Sequence, residues 1–237
     1  TATREKVIEK MRKNLKVMKD AAKAGTEKEV YSLSGLIGGD GHRLNNYAKN
    51  KKTLTGRATN IAMAMALASS EVNASMGKIV ACPTAGSCGI LPAVILAAGE
   101  VLELSEDEMI NGLLAASAVG MIIGMNATLS GAEGGCQAEC GSASAMGAAA
   151  VVELMGGTPK MSLDAGSIIL QNVLGLVCDP VAGLVEIPCA KRNAQGAITA
   201  LCTADMVMAG VEAKIPFDDA VEAMYKAVSY THLTLPT

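Results

Sequence analysis

Seven cysteines stand in this 237-residue chain, at Cys82, Cys88, Cys136, Cys140, Cys178, Cys189 and Cys202. Thiols are the side chains here best suited to hold a soft metal or to attack an electrophile. Three of them lie in or beside loops rich in Gly and Pro: Cys136 follows Gly134 and Gly135, Cys178 precedes Asp179 and Pro180, and Cys189 follows Pro188. Such loops let backbone N–H groups approach thiolate and sulfide. The separations, 41 residues between Cys136 and Cys178 and 10 between Cys178 and Cys189, are not the close pairs of a zinc ribbon. Three thiolates around a cubane iron-sulfur centre would leave one iron open as a Lewis acid. The competing reading is that cysteines in an Ala- and Met-rich core are small apolar fillers, and the residues alone do not choose between the two. Cys82 and Cys202, in apolar runs, fit the filler reading. Cys140 shares a face with Cys136 if that stretch is helical, as ligand or neighbour, and Cys88 in its glycine turn has no histidine nearby to activate it.

Of the groups able to move a proton, His42 is the one histidine before residue 229, and it sits among Gly38, Gly39 and Gly41. A glycine-rich loop can present such a side chain to a site, although a structural or solvated histidine fits the same pattern. Glu133, Glu139 and Asp179 lie close to the proposed ligands, where a carboxylate can orient an ammonium group or act as base; for Asp179 the alternative is helix capping. His42 and Glu133 are the two residues read as catalytic.

These groups need elements to hold them, and the pattern is helical throughout. Val7, Ile8, Met11, Leu15, Met18 and Ala22 recur at helical spacing among Lys and Glu, up to Gly25. A second helical stretch opens at Thr26, and the glycines of 35–42 then read as a loop. Further helices are expected over 57–75, 91–102, 105–125, 136–155, 162–177, 191–209 and 218–228, joined by Gly- or Pro-containing turns. Ser105 with Glu108 three residues on reads as a capping box. The fold class is therefore all-α, one helical domain over 1–228 whose Gly-rich loops carry the ligands. Residues 229–237 turn Thr- and Leu-rich and β-prone, and are set outside the fold as an artefactual or disordered end.

A net charge of −3 with dispersed lysines and arginines offers no footprint for nucleic acid or anionic membrane. The charged, amphipathic opening is not a secretory leader, and an odd number of cysteines argues for reduced thiols, so a cytoplasmic setting is expected. Residues 79–99 and 111–132 carry no charge and reach the length of a bilayer span. A small-residue-rich membrane or transport protein is thus a second reading, opposed by Pro83, Pro92 and the glycine turn inside the first window and by the capping box before the second.

Three stretches carry a resemblance: NATLSGAEGGCQAE at 126–139, GLVCDPVAGLVEIPC at 175–189 followed by Lys191, Arg192 and Asn193, and ACPTAGSCGILP at 81–92. Together they resemble the iron-sulfur-dependent L-serine dehydratases, alpha chain, from about residue 34 to 228. The resemblance implies an all-helical catalytic domain with a [4Fe-4S] cluster on Cys136, Cys178 and Cys189. It also implies conversion of L-serine to pyruvate and ammonia without pyridoxal phosphate. A related lyase acting on cysteine or threonine is the alternative within the fold. Thr84, Ser87, Asn126 and Ser130 in the motif loops, and Arg192 after the last ligand, are candidates for binding the serine carboxylate. Turn satisfaction and a solvated helix start are the opposing readings. Single-chain members have a histidine before the second cluster cysteine, where this chain has Gln171 and Asn172. The chain resembles the two-subunit form, so a beta-chain partner and a higher oligomer are expected.

Overall fold

Apolar residues at helical spacing, capped by the Thr3 hydroxyl on the Lys6 N–H, fold residues Arg4–Glu27 into α1 and bury Leu15, Met18 and Ala22. In this computed structural model the backbone is described for residues 3–234 and side chains up to residue 227. The predicted stop at Gly25 is overrun, because Gly25 lies inside the helix at a crossing: a Cβ there would come 2.7 Å from Ala68 Cβ. No helix opens at Thr26. Residues 28–39 form an irregular turn closed by one antiparallel bridge, Tyr31 to Gly38. The expected loop at 35–42 ends early, because α2 (Asp40–Asn50) begins inside it.

α3 (Gly56–Ala74), α4 (Ile90–Val101) and α5 (Glu106–Asn126) follow. α5 starts on the predicted capping box, with Ser105 and Glu108 exchanging bonds. It is long and apolar enough to cross a membrane, and one face, including Met109, Ile110, Leu113 and Ile123, is buried in the bundle. α6 (Gly131–Cys136), a π-turn at Gln137–Gly141 and α7 (Ser142–Leu154) run on from one another. α8 (Pro159–Asn172), α9 (Cys189–Met208) and α10 (Phe217–Thr234) complete the chain. α8 ends five residues before the expected 177, since 173–177 are drawn off to pair with the end of α6. α10 carries helix through residues 229–234 of the expected β-prone end; residues 235–237 lie outside the described residues, as do the side chains from 228 onward.

Two helices organise the single all-α domain. α7 is buried at every position from Ser142 to Val152 and packs on α4, α5, α8 and α9. α3 packs on α1, α2, α4 and α9. Both depend on alanine, with Ala62, Ala66, Ala68, Ala143, Ala145 and Ala148 nearly fully enclosed, so the axes approach closely and gain dispersion contact rather than side-chain bulk. α9 lies against both hubs, and its first residue is Cys189. The scaffold therefore fixes the direction from which that thiol enters the site.

Candidate functional site

The site is built where three irregular stretches meet the first turn of α9. Gly135 turns the chain with φ 71° and ψ 178° inside the α6 segment. A Cβ there would lie 2.8 Å from the carbonyl oxygen of Leu176. Only glycine combines that dihedral with that approach, and the result is that the Gln137 N–H donates to Leu176 O at 3.0 Å. Cys136 is thereby pressed against the stretch that leads to Cys178. The buried Gln137 side chain pins the same junction, accepting from Gly175 N–H at 2.8 Å and donating to Met224 O at 3.1 Å.

Arg192, one turn into α9 after Cys189, ties the stretches together. Its Nη1 lies 3.1 Å from Cys136 Sγ, 3.1 Å from Val177 O and 2.7 Å from Asp179 Oδ1. One nitrogen, on the helix that Cys189 opens, thus touches Cys136 and both residues flanking Cys178. The neighbouring Cys140 thiol first, and then the Arg192 guanidinium, hold the Cys136 thiol down to about 6 against the opposing effect of burial. Cys140 is pushed up, by Cys136 first and then by burial. Burial, and then the charge of Cys136, raises both Cys178 and Cys189, the latter to about 11. Cys178 is exposed while Cys136 and Cys189 are buried. The thiols feel one another's charge, as groups on separate parts of a fold would not.

Glu139 lies in the middle of this set. It shares a group with Cys136 and Cys140 whose ligand atoms all fall within 4.8 Å of one another, and its charge acts on Cys178 and Cys189. Its carboxylate is threaded between two glycines: a Cβ on Gly86 would lie 2.5 Å from Oε1, and one on Gly131 would lie 2.6 Å from Oε2. Thr84 donates its hydroxyl to Oε1 and contacts Ser87 Oγ at 3.0 Å. Asn193 holds this turn to α9, accepting from Gly89 N–H at 2.9 Å and donating to Gly86 O at 2.7 Å and Cys189 O at 2.8 Å.

The other sequence candidates lie differently. Glu133 is exposed and accepts from Thr128 at 2.7 Å. Asn126 is exposed and donates back to Ile122 O of its own helix at 2.8 Å, and Ser130 is exposed at the start of α6. His42 is on α2, not in a loop. Its Nδ1 donates to Thr26 O at 3.0 Å, at the end of α1, which leaves Nε2 to accept from Asn46 of its own helix at 2.8 Å. Arg192, Thr84 and Ser87 are gathered at the cysteines. The carboxylate that the structure brings to the cysteines is that of Glu139 and not that of Glu133. Its signal in the sequence is the three-residue step from Cys136, which puts the two on one helical face.

The sequence model of the family described as serine dehydratase alpha chain matches residues 1–234. Among curated relatives, the probable L-serine dehydratase, alpha chain, of Bacillus subtilis (strain 168) is 50% identical over 224 residues, 94% of this chain and 74% of that one. The L-serine dehydratase, alpha chain, of Peptoniphilus asaccharolyticus is 50% identical over 222 residues, 94% of this chain and 76% of that one. L-serine dehydratase TdcG of Escherichia coli (strain K12) is 45% identical over 163 residues, 68% of this chain but 36% of that longer protein.

Proposed function

Because the chain belongs to the serine dehydratase alpha chain family, we propose that it is the catalytic subunit of an iron-sulfur L-serine ammonia-lyase, converting L-serine to pyruvate and ammonia. The observation that carries the reading is the single Arg192 nitrogen that touches Cys136 and the flanks of Cys178 from the helix Cys189 begins. Three thiols from separate segments, with a guanidinium against one of them, form a donor set that suits a soft, anionic [4Fe-4S] cluster. Cys136, Cys178 and Cys189 would hold it. When bound, the cluster supplies an iron without a protein thiolate, which makes the substrate hydroxyl a better leaving group.

The remaining work belongs to the chain's own side chains. Glu139 receives the substrate ammonium, since a carboxylate half-buried among thiols is the site's complement to a cation. Thr84 holds that carboxylate in place, and Ser87 supports Thr84 and offers a hydroxyl to the substrate carboxylate. Arg192 fixes Cys136 and offsets the thiolate charge. Serine then loses its Cα proton and its hydroxyl, together as one water, to give aminoacrylate, which tautomerises to the imine and takes up one water to give pyruvate and ammonia. The scheme gives no role to Glu133, exposed with Oε2 accepting from Thr128, or to His42, whose ring nitrogens are bonded to Thr26 and Asn46. The family's designation as an alpha chain supports a beta-chain partner, and reduced thiols suit a cytoplasmic setting.

Anaerobic reconstitution with iron and sulfide, followed by metal analysis and a pyruvate assay, tests the reading. Wild type is expected to bind iron and inorganic sulfide, absorb broadly in the visible and release pyruvate from L-serine. Each of Cys136→Ala, Cys178→Ala and Cys189→Ala is expected to lose the cluster. A colourless protein that takes up zinc instead would sink the proposal. L-Cysteine and L-threonine assayed alongside define the substrate.

A further inference from the structure

Cys140 has no part in the proposed ligand set, yet its sulfur lies within 4.8 Å of that of Cys136. We propose that Cys136 and Cys140 close a reversible disulfide when Cys136 is not engaged by metal, making this pair a redox-sensitive lock on the site. The inference goes beyond the catalytic reading and does not depend on it, because it needs only the two thiols.

The four-residue spacing and the closeness of the two sulfurs bring the bond within reach. Residues four apart on an α-helix have Cα atoms about 6 Å apart, inside the range of about 4.4–6.8 Å that disulfides span. Here the intervening residues form a π-turn. The two sulfurs lie within 4.8 Å of each other. Arg192 Nη1, 3.1 Å from Cys136 Sγ, steadies that sulfur from outside the turn. The other close pair in the sequence is arranged otherwise: Cys82 Sγ donates to Val80 O at 3.4 Å and Cys88 Sγ to Ser69 O at 3.8 Å, each turned to a carbonyl.

The oxidant required is a peroxide, small enough to enter beside the exposed Val177, Cys178 and Asp179. Cys136 sulfur attacks one oxygen of hydrogen peroxide and the O–O bond breaks, giving a sulfenic acid and one water. Cys140 sulfur then attacks the sulfenic sulfur; the S–O bond breaks and a second water leaves. Two thiols lose two electrons and two protons, and the peroxide takes up both. The disulfide withdraws Cys136 from metal binding and shields it from the irreversible sulfinic and sulfonic steps.

The full chain, as isolated and after reconstitution with iron and sulfide, is treated with hydrogen peroxide, alkylated and cut with a glutamate-specific protease. Cleavage after Glu133, Glu139 and Glu153 separates Cys136, on peptide 134–139, from Cys140, on peptide 140–153. In wild type the two peptides are expected to travel together and to separate on reduction with dithiothreitol, after which iron binding returns. Cys140→Ser and Cys140→Ala, checked for unchanged helical circular dichroism, are expected to give no linked pair. Both should accumulate sulfinic or sulfonic acid at Cys136 and regain several-fold less iron than wild type. Linkage of Cys136 to Cys178 instead, or equal over-oxidation of Cys136 in wild type and the Cys140 variants, would overturn the proposal.

Discussion

Glycine does opposite work in two regions of this protein. Where α1 and α2 cross α3, Gly25 and Gly41 both face Ala68: a Cβ on either would come within 2.8 Å of Ala68 backbone atoms. There the missing side chain lets backbone meet backbone. Around the cysteines, Gly86 and Gly131 face the carboxylate of Glu139, and the missing side chain leaves room for a functional group. The first region cannot yield without moving helices, because its neighbours are main chain. The second can, because its neighbour is the end of a flexible side chain. Damage to the crossing should therefore be measured in stability, and damage to the loops in binding.

The largest expected effect is at the crossing. Ala68 is fully buried, and Ala68→Leu pushes three methylene-sized groups toward two helices already in contact. Overpacking of this kind costs about 3 kcal/mol, or roughly 6–12 °C in Tm for a chain of this size. Iron binding by the fraction that remains folded should be unchanged. A thermal melt shifted by only a degree or two would show that the crossing can relax, and the contrast with the loops would break.

What could be read from the sequence follows the same division. α5 was legible because its start carries a capping box and its body an unbroken helical run. α2 was not, because the glycines that permit the close crossing look, in sequence, like a loop. At the site, Glu133 and Glu139 are placed symmetrically, three residues before and after Cys136. The symmetry is broken by the left-handed turn at Gly135 and the π-turn after Cys136, which send Glu133 to solvent and Glu139 inward. Both depend on a contact with Leu176, forty residues on, which no local pattern encodes. The cysteine loops could be found from their glycines and prolines, but the guanidinium that joins them required the arrival of α9.

A second, pH-dependent effect sharpens the comparison. Glu71, buried on α3 one turn after Ala68, accepts from Asp40 N–H at 2.6 Å and Gly41 N–H at 3.4 Å at the start of α2. Burial pushes its carboxyl up to about 7; those two N–H bonds and Arg43 oppose the rise, and Asp40 adds to it. The folded chain keeps this proton up to about pH 7, whereas the unfolded chain releases it near the ordinary value of 4.5. Between those values the native state binds more protons, so stability falls as pH rises and levels off above about 7. The loss is bounded on the order of 3 kcal/mol. Glu106 and Glu108, held low mainly by Lys19 and by Ser105 respectively, act in the opposite sense and only at more acid pH. Urea midpoints from pH 5 to 8 should fall in wild type and stay nearly flat in Glu71→Gln; equal slopes in both would remove Glu71 from the account.

The smallest effect on stability is expected at Gly86, where the consequence for binding is the more telling. A Cβ there would meet Glu139 Oε1 at 2.5 Å and Val185 Cγ1 at 2.9 Å, both ends of side chains. Gly86→Ala can therefore be relieved by swinging the carboxylate away, at a stability cost of roughly 1 kcal/mol or less. That movement breaks the Thr84 bond and takes the negative charge from the place the substrate ammonium needs it. KM for L-serine should rise several-fold in the reconstituted enzyme, with cluster content and Tm close to wild type. Affinity for an analogue lacking the amino group, such as 3-hydroxypropanoate, should change little, because the displaced charge has no cation to meet. If both ligands weaken equally, Glu139 is holding the loop rather than the ammonium, and the two regions would differ in flexibility alone and not in purpose.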